Sequence, residues 1–282
     1  MDLFKNQKDL KSHLKKMLPS VKPVGFVPTM GALHEGHLSL LKESEKMCKT
    51  TVSSIFVNPT QFNNAEDFQK YPKTLPDDIL MLEENGCDIL FLPSEEEIYP
   101  DEQSRQKHFE LGYLETILEG KFRPGHFQGV CNVVEKLLNI VEPDFLFLGQ
   151  KDFQQCLVIR RLLYLMNSKT KLIICPIVRE KNGLAKSSRN LRLTDSEKQS
   201  AADLHQSLSD IKKHLNPANF PELKKKAVSY LEKNGFKVEY LELAKTKNLE
   251  LISDYIPRES LILLVAAFLN NVRLIDNLLI NP

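Results

Sequence analysis

His34 and His37 stand three residues apart in Pro28-Thr29-Met30-Gly31-Ala32-Leu33-His34-Glu35-Gly36-His37. At that spacing two imidazoles share one face at the start of a helix. Gly31 and Gly36 let backbone approach a ligand closely. A helix start adds N–H groups and the positive end of a dipole, so the segment suits phosphate. Two surface histidines beside a helix cap would show the same spacing, and the pattern alone leaves that alternative open. Zinc fits less well. His-Glu-x-His is one residue shorter than the zinc-protease spacing, and no nearby cysteine or carboxylate set completes a site.

Other polar clusters also follow apolar runs. Asn58-Pro59-Thr60-Gln61-Phe62 is a turn whose Gln61 amide can bind a hydroxyl or a carboxylate through both ends. Gly149-Gln150-Lys151-Asp152-Phe153-Gln154-Gln155 places a cation, Lys151, where it can meet developing phosphate charge. Asp152 is a suitable helix N-cap there, and Gln155 sits one turn into the helix. Lys186-Ser187-Ser188-Arg189-Asn190 combines hydroxyls and a guanidinium, a set suited to triphosphate oxygens or simply to a loop between domains. Arg123-Pro124-Gly125-His126-Phe127 is a turn with a cation and a histidine. Asp77 and Asp78 begin a helix and either cap it or reach Mg²⁺ through water. There is no Gly-x-Gly-x-x-Gly after a strand. Gly183-Leu184-Ala185-Lys186-Ser187 lacks the upstream glycine of a P-loop.

The elements that must position these residues alternate. Strands are expected at Val24–Val27, Thr51–Val57, Cys87–Leu92, Asp144–Leu148 and Lys171–Cys175. Helices are expected from about Gly36, over Pro76–Asn85, over Gly129–Val141 and over Phe153–Met166. Short, near-continuous apolar strands between helices indicate a parallel sheet covered on both faces. Ligands of such sheets bind beyond the C-terminal strand ends, where the polar clusters begin. After about Arg179 the pattern changes to two lysine-rich helical stretches split by Asn216-Pro217-Ala218-Asn219. Strands at Phe236–Leu243, Leu261–Leu269 and Val272–Ile275 follow. The fold class is therefore α/β, with a parallel-sheet domain over residues 1–178 and a smaller α+β domain over 179–282.

Composition narrows the function classes. The 282 residues are 42% hydrophobic and 27% charged, with a formal net charge of +1. That balance argues against broad nucleic-acid or membrane-surface binding, which needs a basic excess. The N-terminal stretch carries acids and lysines throughout and has no signal-peptide core. No apolar run approaches the roughly 18 residues of a membrane span. The five cysteines are scattered, which suits free thiols in a reducing cytoplasm.

Taken together, PTMGALHEGHLSL, SIFVNPTQF, YPKTLPDD, GKFRPGHFQGV, PDFLFLGQKDFQQ, VREKNGLAKSSRNLRL and VRLIDN resemble the pantoate–β-alanine ligase family, in order and over nearly the whole chain. That family belongs to the HxGH nucleotidyltransferase-like group. The resemblance implies a Rossmann-like first domain and a small second domain acting as a lid. It implies an ATP- and Mg²⁺-dependent reaction: (R)-pantoate is adenylated with release of pyrophosphate, and β-alanine then displaces AMP to give pantothenate. His34 and His37 match the HxGH pair that binds triphosphate, with His37 as the candidate proton donor. Met30, Gly31, Ala32, Leu33, Glu35 and Gly36 line the ATP site. Gln61 and Gln155 match the pantoate glutamines, with Gln61 also near β-alanine. Gly149, Gln150, Lys151 and Asp152 match the ATP loop, and Lys151 would stabilise charge at the α-phosphate. Val178 matches the position whose backbone holds adenine. Ser187, Ser188 and Arg189 match the phosphate segment of the lid. Lys186 stands where the family usually has Met or Leu, and Phe268-Leu269-Asn270 replaces a more usual Arg-Leu-Gly. A homodimer is expected, without nucleic-acid or membrane partners. The alternatives are a nucleotidyltransferase of the same superfamily and a nucleotide-binding module without turnover.

Overall fold

The computed structural model describes residues 1–17, 20–63, 65–105 and 107–280. Positions 18, 19, 64, 106, 281 and 282 of the two expected domains lie outside the described residues. The chain divides into two units, Met1–Gly149 with Gln155–Pro176 and Gln150–Gln154 with Ile177–Pro282. The segment Gln150–Gln154, expected within 1–178, thus groups with the second unit.

The first unit is a six-stranded sheet, β1 (Asp2–Phe4), β2 (Val24–Thr29), β3 (Thr50–Ile55), β4 (Ile89–Phe91), β5 (Phe145–Gly149) and β6 (Lys171–Cys175). The spatial order is β1-β4-β3-β2-β5-β6, with every pair parallel. Side chains alternate between two cores, because successive residues of a strand point to opposite faces. Phe26, Phe91, Leu146 and Leu148 face one core, shared with the helices His126–Val141 and Phe153–Leu165. Val27, Leu90 and Phe147 face the other, shared with Glu35–Met47 and Leu75–Glu84. Burial on both faces explains why these strands read as continuous apolar runs. From β2 the chain steps outward to β3 and β4, then returns to β5 on the other side of β2. That reversal leaves a crevice beyond the C-terminal ends of β2 and β5. Residues 30–37 leave β2 at that edge, and Gly149 ends β5 there.

The second unit holds an antiparallel sheet in the order β10-β9-β7-β8. Its strands are β7 (Phe236–Lys245), β8 (Leu251–Ile252), β9 (Leu261–Leu269) and β10 (Val272–Ile280). The helices Asp203–His214 and Phe220–Lys233 bury Leu204, Leu208, Ile211 and Leu231 in the core formed with Leu243, Leu263, Val265 and Leu274.

Several boundaries differ from the sequence expectation. The short strands β1 and β8 are too brief to show a period and exist through pairing with β4 and β7. The helix expected from Gly129 begins at His126. The last strand, expected to stop at Ile275, runs on through Asp276 and Asn277 to Ile280 in pairing with β9. Asp and Asn are disfavoured in strands, so a stop was the natural expectation. Both are buried here, with defined partners described below. Among the described residues no helix is long and apolar enough to cross a membrane.

Candidate active site

His34 is the N-cap of the helix Glu35–Met47, and the two histidines form its capping box. The His34 Nδ1 accepts the Gly36 N–H at 3.1 Å, and the His37 Nδ1 accepts the His34 N–H at 3.3 Å. The rings lie against each other, with centroids 4.1 Å apart. A ring nitrogen that accepts an N–H carries no proton. Each neutral imidazole therefore carries its proton on Nε2, as a donor. With both Nδ1 atoms accepting, the donor position of each ring is Nε2, at the positive end of a helix.

The turn before the helix is built from the far side. The buried Asp78 carboxylate accepts the Ala32 N–H at 2.9 Å through Oδ2 and the Leu33 N–H at 2.7 Å through Oδ1. Thr74 Oγ1 donates to the same Oδ1 at 3.2 Å. Gly31 adopts φ +78°, and a Cβ there would stand 3.0 Å from Asp78 Oδ2. Sequence suggested that Asp78 caps its own helix or reaches a metal. Its oxygens instead hold the turn that carries His34. Its neighbour Asp77 is exposed in the first turn of the helix Leu75–Glu84.

Gln61 closes a short turn, Pro59–Gln61, after β3. Its Nε2 donates to Met30 Sδ at 2.9 Å, and its Oε1 accepts from Asn58 Nδ2 at 3.2 Å, so the amide is oriented at both ends. The buried Asn58 is fixed in turn by the Gly129 carbonyl and the Tyr99 hydroxyl. A Cβ on Gly129 would fall 2.2 Å from the Thr60 carbonyl oxygen, so only glycine lets the helix His126–Val141 lie this close. The Arg123–Phe127 turn, suggested as a cation-bearing cluster, serves the same end. Buried His126 donates from Nδ1 to the Gln61 carbonyl at 2.8 Å, while its Nε2 accepts from Arg123 Nη1 at 3.2 Å. Gln155 is partly exposed near the start of the helix Phe153–Leu165, after β5. Gln61 and Gln155 thus leave the two strands that flank β2.

In the second unit, Gln150–Asp152 form a single 3₁₀ turn in which Lys151 Nζ lies 3.1 Å from Asp152 Oδ2. Residues 178–186 form a hairpin: the Val178 carbonyl accepts the Lys186 N–H at 2.9 Å, and Arg179 pairs with Ala185. The faint P-loop echo at Gly183 is the tip of this hairpin. Ser187 caps the turn Ser188–Arg192 by accepting the Arg189 N–H at 3.3 Å. Asn190 Nδ2 ties that turn back to the Ala185 carbonyl at 3.0 Å.

Three well-connected residues had no role in the sequence reading. Arg179 makes a two-pronged pair with buried Asp276, at 2.7 and 2.9 Å. Asn277, also buried, bonds to the Gln150–Lys151 turn. They lie in VREKNGLAKSSRNLRL and VRLIDN, stretches that carry the family resemblance, and the Asp-Asn pair also interrupts an otherwise apolar terminal run.

The whole chain has close relatives. The family model for pantoate-beta-alanine ligase matches residues 2–279. Pantothenate synthetase of Cytophaga hutchinsonii is 45% identical over 276 residues, covering 96% of each chain. That of Azobacteroides pseudotrichonymphae is 44% identical, covering 99% of each. The structure of pantothenate synthetase from Thermus thermophilus superposes with a TM-score of 0.89 at 36% identity, over 99% of both chains. The pantoate-beta-alanine ligase of Francisella tularensis, solved in complex with beta-gamma ATP and beta-alanine, gives 0.82 at 39% identity, over 99% of this chain and 97% of that one. The chain belongs to the pantoate–β-alanine ligase family, and it is an ATP-dependent enzyme that joins pantoate to β-alanine through a pantoyl adenylate.

Proposed function

We propose how this chain divides the labour of that reaction. In the first step a pantoate carboxylate oxygen attacks the α-phosphorus of ATP and the bond to pyrophosphate breaks. In the second, the β-alanine nitrogen attacks the acyl carbon, loses a proton, and AMP leaves. The first step needs positioning and charge stabilisation more than a strong base. The capped histidine pair carries this proposal. His34 and His37 present neutral Nε2–H donors to triphosphate oxygens, with His37 at the departing pyrophosphate. Met30, Gly31, Ala32, Leu33, Glu35 and Gly36 line the nucleotide. Gly149, Gln150, Lys151 and Asp152 form the ATP loop. Lys151 exchanges its Asp152 partner for charge growing at the α-phosphate. Gln61 and Gln155 hold pantoate, with Gln61 also near β-alanine. Val178 offers backbone groups to adenine. Ser187, Ser188 and Arg189 receive phosphate oxygens, and Lys186 adds a further cation beside them.

Mg²⁺ belongs to the proposal only as a companion of the nucleotide. Asp78 is committed to backbone N–H groups. Among the described residues no cluster of three or more His, Cys, Asp or Glu side chains could hold a metal. These residues do not fit a protein-built Mg²⁺ site. Mg²⁺ commonly keeps several waters and binds through substrate phosphates. The homodimer rests on the family resemblance. The cytoplasmic location rests also on the five free cysteines. Burial pushes the Cys87 and Cys131 thiols up to about 12, which leaves them inert.

Product analysis with ATP, pantoate and β-alanine tests this reading against a nucleotidyltransferase. The expected result is AMP and an amide, with AMP release dependent on β-alanine. A stable nucleotide-linked product would overturn it.

A further inference from the structure

We infer that Asp276 and Asn277, adjacent on β10, are the positioning residues for the second unit's share of the adenylation machinery. Successive strand residues point to opposite faces, so the pair reaches two different segments. Asp276 shares its face with Val272 and Leu274, which line the core beneath the helices. There it takes both guanidinium prongs of Arg179. Arg179 also donates to the Gly183 carbonyl at 3.0 Å and to the Asn277 carbonyl at 3.3 Å. One ion pair therefore fixes the hairpin that leads into Ser187, Ser188 and Arg189.

On the other face, Asn277 Nδ2 donates to the Gln150 and Lys151 carbonyls, both at 2.9 Å, and Asn277 Oδ1 accepts from Gln150 Nε2 at 3.0 Å. The two amide hydrogens and the amide oxygen are matched to the 3₁₀ turn that carries Lys151. Asn277 is 1% exposed and Asp276 is 4% exposed, so neither can touch substrate without rearrangement. Their work is done through the backbone they hold. A buried polar pair inside an apolar strand is costly unless every group is satisfied. Here the side chains of the pair meet the hairpin and the Lys151 turn, with His205 Nδ1 also 3.8 Å from Asp276 Oδ2.

The inference rests on the proposed role of Lys151, and a double-mutant cycle separates the two. Lys151→Ala, Asn277→Ala and the double variant are assayed for pantoate-dependent exchange of labelled pyrophosphate into ATP, beside thermal unfolding. Asn277→Ala removes three hydrogen bonds to the turn and is expected to lower kcat of exchange about 30-fold by displacing Lys151, with a smaller change in the KM for ATP. In the Lys151→Ala background the same change is expected to cost about twofold or less, because its effect runs through Lys151. Asn277→Asp keeps the shape but turns a carboxylate toward two carbonyls. It is expected to match or exceed the loss in Asn277→Ala, and it serves where the alanine variant does not fold. Independent, multiplicative losses, or an unfolding shift with kcat unchanged, would overturn the inference. Normal exchange by Lys151→Ala alone would overturn the Lys151 role and the inference built on it.

Discussion

The histidine turn of the first unit and the lysine turn of the second are held by hydrogen bonds of very different reach. His34 and His37 are capped by backbone two and three residues away. The Gln150–Lys151 turn is held by Asn277, 127 and 126 residues away. The first set of cap bonds belongs to the helix start itself, while Asp78 braces the turn before it from 45 and 46 residues away. The second exists only once β10 has paired with β9. One group of proposed phosphate ligands is therefore oriented largely by its own helix start, and the other by a strand far along the chain.

The largest expected effect tests the long-range arm. Lys151→Ala should lower kcat/KM for pantothenate formation about 10³-fold, as removal of a charge-stabilising donor does. An unchanged rate would leave the lysine turn without a catalytic role. In the first unit, Asp78→Asn should cost about 3 kcal/mol of stability in denaturant unfolding, since it sets an amide against backbone N–H groups that met a carboxylate. A cost well under 1 kcal/mol would mean that the turn holds without Asp78.

His34→Ala and His34→Asn sharpen the same arm, because Asn can cap but cannot present Nε2–H. Both should lose activity roughly 10²-fold, while only the alanine variant loses about 1 kcal/mol of stability. Recovery of activity in His34→Asn would reduce the histidine to a cap. Nitrogen chemical shifts of the two imidazoles should report the Nε2–H tautomer.

The smallest effect lies beside Asp276. His205 is held below its ordinary value of 6.5, first by burial and then by the Arg179 charge, against an opposing pull from Asp276. The unfolded chain then binds the proton more readily than the folded one. The stability contributed by neutral His205 is therefore fully present above pH 6.5 and is lost as pH falls through the folded value. The denaturant midpoint of wild type should fall more between pH 7.5 and 5.5 than that of His205→Gln. Equal slopes would remove His205 from the second unit's pH response.

The same contrast explains what the sequence disclosed. Parallel strands, their order of helices and the change of pattern near Arg179 were legible because periodicity is local. The histidine pair was legible for the same reason. Asp78 was misplaced because its partners, Ala32 and Leu33, lie 46 and 45 residues away. The turn Arg123–Phe127 read only as a turn with a cation and a histidine, because the Gln61 carbonyl that both residues hold is 62 and 65 residues away. Val272–Ile275 was cut short at Asp276 because strand propensity counts Asp and Asn as breaks. The pairing with β9 overrides that preference.

Pantoate-dependent exchange of labelled pyrophosphate into ATP, with β-alanine withheld, tests most directly whether the two arms serve one adenylation step. Wild type should exchange only when pantoate is present. His37→Ala and Lys151→Ala should each lose exchange by the same factor as they lose pantothenate formation. Exchange without pantoate, or normal exchange in variants that fail to make pantothenate, would contradict it.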